Sequence, residues 1–231
     1  MTQATTPLTF DVITLFPEMF DLSQYGIVGR AIRQGDVVVR TWNPRDFNDL
    51  ENRQIDDKPF GGEAGMVMRA EPLKRTLDHI KQAHGTPQSL VVAFAANVKP
   101  LSHAALKNLP SHIILICGRY QGIDQRFLQH EVDCLWSIGD YTLSGGELPA
   151  LVVIDTLARQ VKGVLGNQHS LDSEAETSGL CAAPLYTRPA MWRGHAVPEV
   201  LLNGHHQQIE KWRRQAQLEQ TEKNRPEWLD E

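Results

Sequence analysis

The sequence is poor in cysteine and has no long apolar run. Its 231 residues include three cysteines, Cys117, Cys134 and Cys181, an odd number without a CxxC pair. This usage predicts neither a disulfide framework nor a zinc site and fits a reducing compartment. The first residues lack the basic start and apolar core of a signal peptide, and no apolar run is long enough to cross a membrane. The sequence therefore predicts a cytoplasmic protein without a membrane partner.

Common nucleotide-binding and hydrolase motifs are also missing. No GxGxxG pattern follows a strand, no GxxxxGK(S/T) loop is present for a nucleotide phosphate, and there is no GxSxG elbow. The neighbouring histidines His205 and His206 would point apart on a helix and could not hold one metal ion together. The net charge of −5 argues against a chain that binds polyanions over its whole surface, but it is compatible with a local basic patch.

What the first two thirds of the chain contain is an alternation of strand and helix patterns. The strand patterns are short, rich in β-branched residues and bounded by turn residues. Because they read as continuous apolar runs with helices between them, they predict an α/β fold with a mostly parallel sheet covered on both faces. The strands are predicted at residues 8–16, 36–42, 89–96, 112–118 and 132–139, and the helices at 70–84, 102–109, 122–130 and 147–161.

The composition changes after the last of these helices. We predict an α/β domain over residues 1–164, a linker rich in Gly, Ser and acidic residues over 165–184, and a small all-helical domain over 185–231. Within 185–214 five basic residues face two acidic ones, which contrasts with the acidic whole. The basic cluster is either a solvated helix face or a patch that faces nucleic acid.

A glycine-rich loop precedes the helix predicted at 147–161. The letters SGGE at 144–147 match a capping box, but that start would place Pro149 where its missing N–H breaks a helical hydrogen bond. A helix that starts near Gly146 instead places Pro149 in the first turn, where prolines are tolerated. Gly145 and Gly146 then belong to the loop. Two residues without Cβ form either an ordinary tight turn or a bare backbone surface for a flat ligand.

Six motifs in a fixed order carry a resemblance to a known family. The chain resembles the bacterial tRNA (guanine-N1)-methyltransferases of the SPOUT superfamily, which methylate N1 of the guanine just 3′ of the anticodon. The resemblance implies a homodimer, a deep trefoil knot in the α/β domain, and S-adenosyl-L-methionine held by the knot loops. The motifs are LFPEMF (15–20), PRDF (44–47), CGRYQGID (117–124), WSIGDYTLSGGELPA (136–150), GVLG (163–166) and YTRP (186–189), followed by RPEWL (225–229).

The resemblance also implies which residues contact the cofactor. They belong to the motif that begins with CGRY and to the glycine-rich loop, in agreement with the interpretation of that loop as a ligand surface. The implied contacts are Gly118, Tyr120, Ile138, Gly139, Asp140, Tyr141, Thr142, Leu143, Gly145 and Gly146.

Methyl transfer to guanine N1 requires a base and a stabiliser of negative charge. N1 must lose its proton, for which a carboxylate is suitable, and a guanidinium can stabilise the charge that develops on O6. By resemblance Arg159 takes the second role, although an ion pair with Asp155 one helical turn earlier is the plain alternative. For the base, counting without gaps from both flanks favours Glu174, whereas the only Asp-Ser pair in the linker begins at Asp172.

The substrate-binding residues are predicted from the resemblance and from the basic cluster. They are Asp56, Ser170, Arg188, Arg213 and Arg214. The family's magnesium dependence makes Asp56 and Glu147 candidate ligands, but no metal-ligand spacing is visible in the sequence.

The chain departs from the family pattern in three places. Residues 95–98 read AANV where the family has SPQG, Gln121 replaces a glutamate, and GGEAG at 61–65 replaces GGGPG. A glycine that needs positive φ could not be replaced by Val98. These departures keep two alternatives open: a degenerate paralogue that binds tRNA or S-adenosyl-L-methionine without efficient catalysis, and a SPOUT methyltransferase that acts on another RNA.

Overall fold

The computed structural model describes residues 6–49, 53–84, 88–165 and 179–229. The chain divides into two compact units, residues 1–166 and 167–231.

The first unit is built on a five-stranded sheet in which every pair of neighbours is parallel. All five predicted strands are confirmed, and their spatial order is β2–β1–β6–β5–β7. Two shorter strands, β3 and β4, form a separate antiparallel pair. The strands are β1 (Leu8–Ile13), β2 (Val37–Trp42), β3 (Asp56–Asp57), β4 (Val67–Met68), β5 (Leu90–Phe94), β6 (His112–Ile116) and β7 (Cys134–Trp136).

Within the described residues of this unit, four α-helices accompany the sheet. They are α1 (Gly26–Gln34), α2 (Ala70–His84), α3 (Gln125–Glu131) and α4 (Glu147–Gln160), with 3-10 turns at Pro17–Gln24, Pro44–Phe47 and His103–Leu106. The helix predicted at 102–109 is wrong in length: it is one 3-10 turn, because Pro110 disfavours helical backbone before it and Asn108 has a φ of 60°.

Helix α1 was not predicted because two glycines lower its helix propensity. The structure explains Gly29: a Cβ at this position would lie 1.8 Å from the carbonyl oxygen of Gln24. The close approach of the preceding turn, a tertiary constraint, therefore requires glycine inside this helix.

The hydrophobic core has two halves, one on each face of the sheet. On the central strand β6, Ile113 and Leu115 point to one face and Ile114 and Ile116 to the other, and all four are fully buried. The first face packs against α1 and α4, and the second against α2 and α3. This is the two-sided cover that the continuous apolar strands predicted.

After β7 the chain returns from the edge of the sheet to its middle. Leu101 N donates to the Ser137 carbonyl at 2.8 Å, and Gly146 N donates to the Gly118 carbonyl at 3.0 Å, just beyond β6. Residues 137–146 therefore cross over the carboxyl ends of β5 and β6 before α4 begins. The trefoil knot that the family resemblance implies stays a prediction.

The second unit contains α5 (His206–Asn224) and a hairpin of β8 (Met191–Trp192) and β9 (His195–Ala196). The prediction that this region is entirely helical is wrong at the hairpin. Its two central residues, Arg193 and Gly194, have φ of 47° and 85°, as a type I′ turn requires. Among the described residues no helix, α5 included, is long and apolar enough to span a bilayer.

Helix α3 begins after a charged cap. The Asp124 carboxylate accepts hydrogen bonds from the Arg126 backbone N–H at 2.9 Å and from the Arg126 guanidinium at 2.6 Å. The guanidinium hydrogen bond is the largest cause that lowers the pKa of Asp124 from its ordinary value of 3.8. Folding therefore stabilises the ionised cap.

We expect Asp124→Ala to lower the free energy of unfolding by about 1 kcal/mol at neutral pH, because an N-cap is lost. Asp124→Asn should retain the cap but lose the charge. Because the folded-state pKa is lowered, the wild type's advantage over Asp124→Asn should be complete above pH about 4 and vanish as the pH falls through the folded-state pKa. Urea unfolding across this range measures it; parallel pH profiles for the two proteins would contradict it.

Candidate active site

A cavity of about 470 Å³ opens at the carboxyl ends of β5, β6 and β7. In open parallel sheets ligands bind at this edge, where loops from several strands converge. The volume is in the range of small-molecule sites. The lining residues are 94–97, 118–123, 125, 128, 135–139, 141–146 and 149.

Nine of the ten predicted cofactor contacts line this cavity. The exception is Asp140, which is exposed and does not line the wall. The structure therefore brings together two segments that lie about twenty residues apart in sequence, and their role as cofactor contacts stays a prediction. The nine are Gly118, Tyr120, Ile138, Gly139, Tyr141, Thr142, Leu143, Gly145 and Gly146.

The sequence prediction missed part of the wall. Phe94 and Leu135–Ser137 follow or end the strands β5 and β7, and Gln125 and Leu128 come from α3. The only available signal was the rule that ligands bind beyond the carboxyl ends of parallel strands, and it could be applied only with the strand order known.

Two tyrosines shape the mouth of the cavity. Tyr120 has a φ of 61°, a sparsely populated conformation for a bulky residue that occurs preferentially at ligand sites. Tyr141 folds back so that its hydroxyl donates to the Ile138 carbonyl at 3.1 Å. A Cβ on Gly139 would lie 2.4 Å from the Tyr141 ring, so Gly139 leaves the space that the ring fills. Both rings are about half exposed, Tyr120 at 49% and Tyr141 at 54%, and are available to a ligand.

The altered loop at 95–98 keeps an ordinary backbone. Ala95–Asn97 line the cavity, and Val98 is half-buried beside them. Val98 is not among the residues with positive φ. The substitution of valine for glycine therefore introduces no left-handed strain at this position.

A buried carboxylate fastens the wall. Glu147, the first residue of α4, is 1% exposed. Its Oε1 accepts from the Thr14 hydroxyl at 3.0 Å and from Arg119 Nε at 3.1 Å, and Oε2 lies 3.0 Å from the same nitrogen. The Arg119 guanidinium also lies over the Phe16 ring, 4.4 Å from its centroid. A negative charge at a helix N-terminus is favourable, and this pair joins α4 to the ends of β1 and β6.

The structure does not support Glu147 as a magnesium ligand. Its carboxylate is engaged by Thr14 and Arg119. Within the described ranges, no group of three or more His, Cys, Asp and Glu side chains could hold a metal ion.

The two glycines before α4 leave space for neighbouring parts of the protein. A Cβ on Gly146 would lie 2.7 Å from the Cα of Cys117, and one on Gly145 would lie 2.4 Å from Arg119 Nε. Gly146 therefore allows two backbone segments to touch, and Gly145 leaves room for the Arg119–Glu147 pair. Both glycines also line the cavity, and their contact with a flat ligand stays a prediction.

The thiol of Cys117, whose backbone lies against Gly146, has low reactivity. Burial raises the pKa of its thiol well above the ordinary value, and the nearby Glu147 charge raises it further. The nucleophilic thiolate is therefore disfavoured at neutral pH.

Of the predicted catalytic residues, Arg159 is the one that belongs to the described part of the chain, and it does not line this cavity. Arg159 lies in the last turn of α4, about 18 Å along the helix axis from Glu147 at the 1.5 Å rise per residue. Ser170, Asp172 and Glu174 lie outside the described residues. Asp56 is half-buried on β3, and Arg188, Arg213 and Arg214 are exposed on the second unit, the last two on α5.

Comparisons with known proteins agree over nearly the whole chain. A family model described as tRNA (Guanine-1)-methyltransferase TrmD matches residues 8–231. A tRNA (guanine-N(1)-)-methyltransferase of Actinobacillus pleuropneumoniae is 46% identical, covering 95% of this chain and 90% of the relative. One from Ralstonia nicotianae is 47% identical, with 96% and 86% covered.

A solved structure is similar as well. The crystal structure of a tRNA (m1G37) methyltransferase from Aquifex aeolicus superposes with a TM-score of 0.78 at 39% identity, covering 95% of this chain and 94% of that one.

We expect Gly146→Ala to lower the free energy of unfolding by about 1–3 kcal/mol, because its Cβ would meet backbone atoms that cannot rotate away. Urea unfolding measures the loss. Gly118→Ala is the matched control: it also lines the cavity, but its Cβ would meet only the Ile123 side chain, at 3.3 Å. Equal stability of the two variants would contradict the close approach of the Gly146 and Cys117 backbones.

Proposed function

This chain belongs to the tRNA (guanine-N1)-methyltransferase family, and we propose that it methylates the guanine just 3′ of the anticodon with S-adenosyl-L-methionine as donor. Methyl transfer to N1 of a guanine in tRNA is the activity of the family, and this chain is an enzyme of that kind. The position of the guanine, the donor, the homodimer and the roles of individual residues are parts of the proposal.

The cavity is the observation that carries the donor assignment. It lies where open parallel sheets bind small molecules, and nine of the ten positions that the family resemblance implies meet on its wall. Its half-exposed tyrosine rings and loop backbone suit an adenine ring and its polar edge. Bound S-adenosyl-L-methionine would supply a methyl group on a sulfonium, so the protein needs no covalent nucleophile. The protonated state of Cys117 is consistent with this chemistry.

The protein's own part is to move a proton and stabilise charge. A linker carboxylate, Glu174 or Asp172, would accept the N1 proton, and the residue count favours Glu174. As the proton leaves, negative charge builds on O6, where the Arg159 guanidinium would donate hydrogen bonds.

The position of Arg159 favours a site shared between two copies. About 15 Å of helix separates it from Pro149, the cavity-lining residue of α4 in its own chain, which is more than an arginine side chain spans. Helix α4 also exposes Leu148 and Val152, one turn apart, at 47% and 48%. We propose that this face packs against a second protomer, so that each cavity receives Arg159 and the linker carboxylate from its partner.

The exposed arginines of the second unit are suited to contact phosphates of the tRNA. Arg213 and Arg214 are exposed on α5, Arg188 is exposed before the hairpin, and none of their guanidinium charges is buried. Phosphate contacts of this kind would give sequence-independent affinity. Asp56 and Ser170 would contact the substrate nearer the reacting base. The proposal also includes two domains, at 1–164 and 185–231, with a linker between them. It includes a knotted path of the chain in the first domain and a cytoplasmic location, where tRNA is found.

One argument for the degenerate paralogue is weakened. Of the three departures from the family pattern on which it rested, the loop at 95–98 keeps an ordinary backbone, because Val98 carries no left-handed strain. The comparisons with known proteins give this alternative no support.

The direct test is methyl transfer from labelled S-adenosyl-L-methionine to unmodified tRNA. Transcripts with guanine 3′ of the anticodon should be methylated at N1, and the same transcripts with adenine there should not, because adenine has no N1 proton and an amino group in place of O6. Mapping the methyl group to another guanine would reject the proposed position while leaving the family activity intact.

Subunit complementation tests the shared site. Arg159→Ala and Thr142→Trp, which fills the cavity mouth, should each be inactive as homodimers. Mixed and refolded together in equal amounts, they should recover about a quarter of wild-type activity, because half of the dimers would be mixed and each would hold one intact site. Matched controls are each variant mixed with itself. No recovery in verified mixed dimers would show that each chain completes its own site.

A further inference from the structure

A projecting arm stands beside the cavity. The arm, residues 58–66, connects β3 to β4, whose antiparallel pairing fixes its base. At its tip Phe60 is 100% exposed. Gly61 and Gly62 have φ of 92° and 81°, and a Cβ on either would meet nothing within 4 Å, so the tip extends into open space. A fully exposed aromatic ring on such a tip contributes nothing to the core of its own unit.

The arm is tied to the cavity wall by one side chain. Gln121, which lines the cavity, donates from Nε2 to the Ala64 carbonyl, and its backbone N–H donates to the Met66 carbonyl at 3.0 Å. A Cβ on Gly65 would lie 2.5 Å from Gln121 Nε2, so Gly65 leaves the space for this contact. At the inner end, Met68 N donates to the Gly122 carbonyl at 2.9 Å. The arm and the loop after β6 therefore hold a fixed relation.

The reaction requires a guanine that has left its stack, and the exposed ring on the arm can bind such an unstacked base. N1 lies on the Watson–Crick edge of guanine, so the base must leave its stack before the cavity can reach it. Unstacked bases bind well to exposed aromatic side chains, and the stacking tolerates any base. Phe60 offers such a ring on the arm that Gln121 ties to the cavity wall, and the exposed Lys58 two residues earlier offers a cation for the adjacent phosphate.

We propose that Phe60 stacks on an unstacked base of the tRNA anticodon loop, and that Gln121 is the positioning residue that holds the arm at the cavity. The proposal rests on methyl transfer to tRNA by this family. It assigns a joint role to Ala64, Gly65 and Gln121: the Gln121 amide donates to the Ala64 carbonyl, which a glutamate carboxylate cannot do.

Phe60→Ala should reduce kcat/KM for tRNA by about five- to a hundredfold, because one base–aromatic stack is lost. The Kd for S-adenosyl-L-methionine should stay unchanged, since Phe60 does not line the cavity. Phe60→Trp should restore kcat/KM. The matched control is Glu63→Ala, which truncates another exposed side chain of the arm and should keep kcat/KM at or above the wild-type value.

A double-mutant cycle tests the tie. Gln121→Glu retains side-chain size but removes the donor, and it should lower kcat/KM for tRNA. In that background Phe60→Ala should cost much less than in the wild type, because the arm no longer holds the ring in place. Cofactor affinity, measured separately by calorimetry for every variant, distinguishes loss of the tie from damage to the cavity.

Three results would overturn the proposal. One is a wild-type kcat/KM for Phe60→Ala in an enzyme that methylates tRNA; another is full additivity of the two substitutions. The third is a shift of Phe60→Ala toward monomers in sedimentation, which would assign the ring to contact with a second copy of the chain. An inactive wild-type protein would instead count against the proposed function, so the two failures are distinguishable.

Discussion

The cavity depends on the buried ion pair between Arg119 and Glu147. The strands bring three loops to one edge, but the loop at 137–146 must also return from the sheet edge to the end of β6. There Glu147 accepts from both Thr14 and Arg119, and the Gly146 N–H donates to the Gly118 carbonyl. A carboxylate removed from water is stable only when charged and hydrogen-bonding partners satisfy it, so loss of the Arg119 guanidinium would leave a buried, unpaired charge and destabilise the fold.

The buried Arg119–Glu147 pair and the close approach of the backbone beside it explain why glycine occupies positions 145 and 146. Two backbone segments meet at Gly146, and an arginine side chain occupies the space beside Gly145. The cavity is then formed by what surrounds the crossing: the rings of Tyr120 and Tyr141 and the backbone of the loops. Packing within the protein therefore accounts for the glycines, and contact of this segment with the cofactor remains part of the proposal.

Much of the fold could be predicted from local patterns. All five strands follow β-branched runs between turn residues, and the position of Pro149 correctly placed the start of α4. Helix α1 could not be predicted, because Gly29 is required by the close approach of the Gln24 backbone, and helix propensity does not include such a tertiary contact. The pairing of Arg119 with Glu147, 28 residues apart, has no periodic signal either. Of the site, the family resemblance predicted the loops, whereas the walls from β5 and β7 required the order of the strands.

The length of helix α4 fixes where Arg159 lies relative to the cavity. The first turn of the helix borders the cavity and its last turn carries Arg159, so the number of residues between them sets both the axial distance to Arg159 and the direction in which it leaves the helix. Inserting one residue would move Arg159 by about 1.5 Å but rotate it by about 100° around the axis. A whole turn added or removed would preserve the direction and change the reach by about 5.4 Å. Under the proposed shared site, the length of this helix is subject to a constraint of phase in addition to the constraint that core packing imposes.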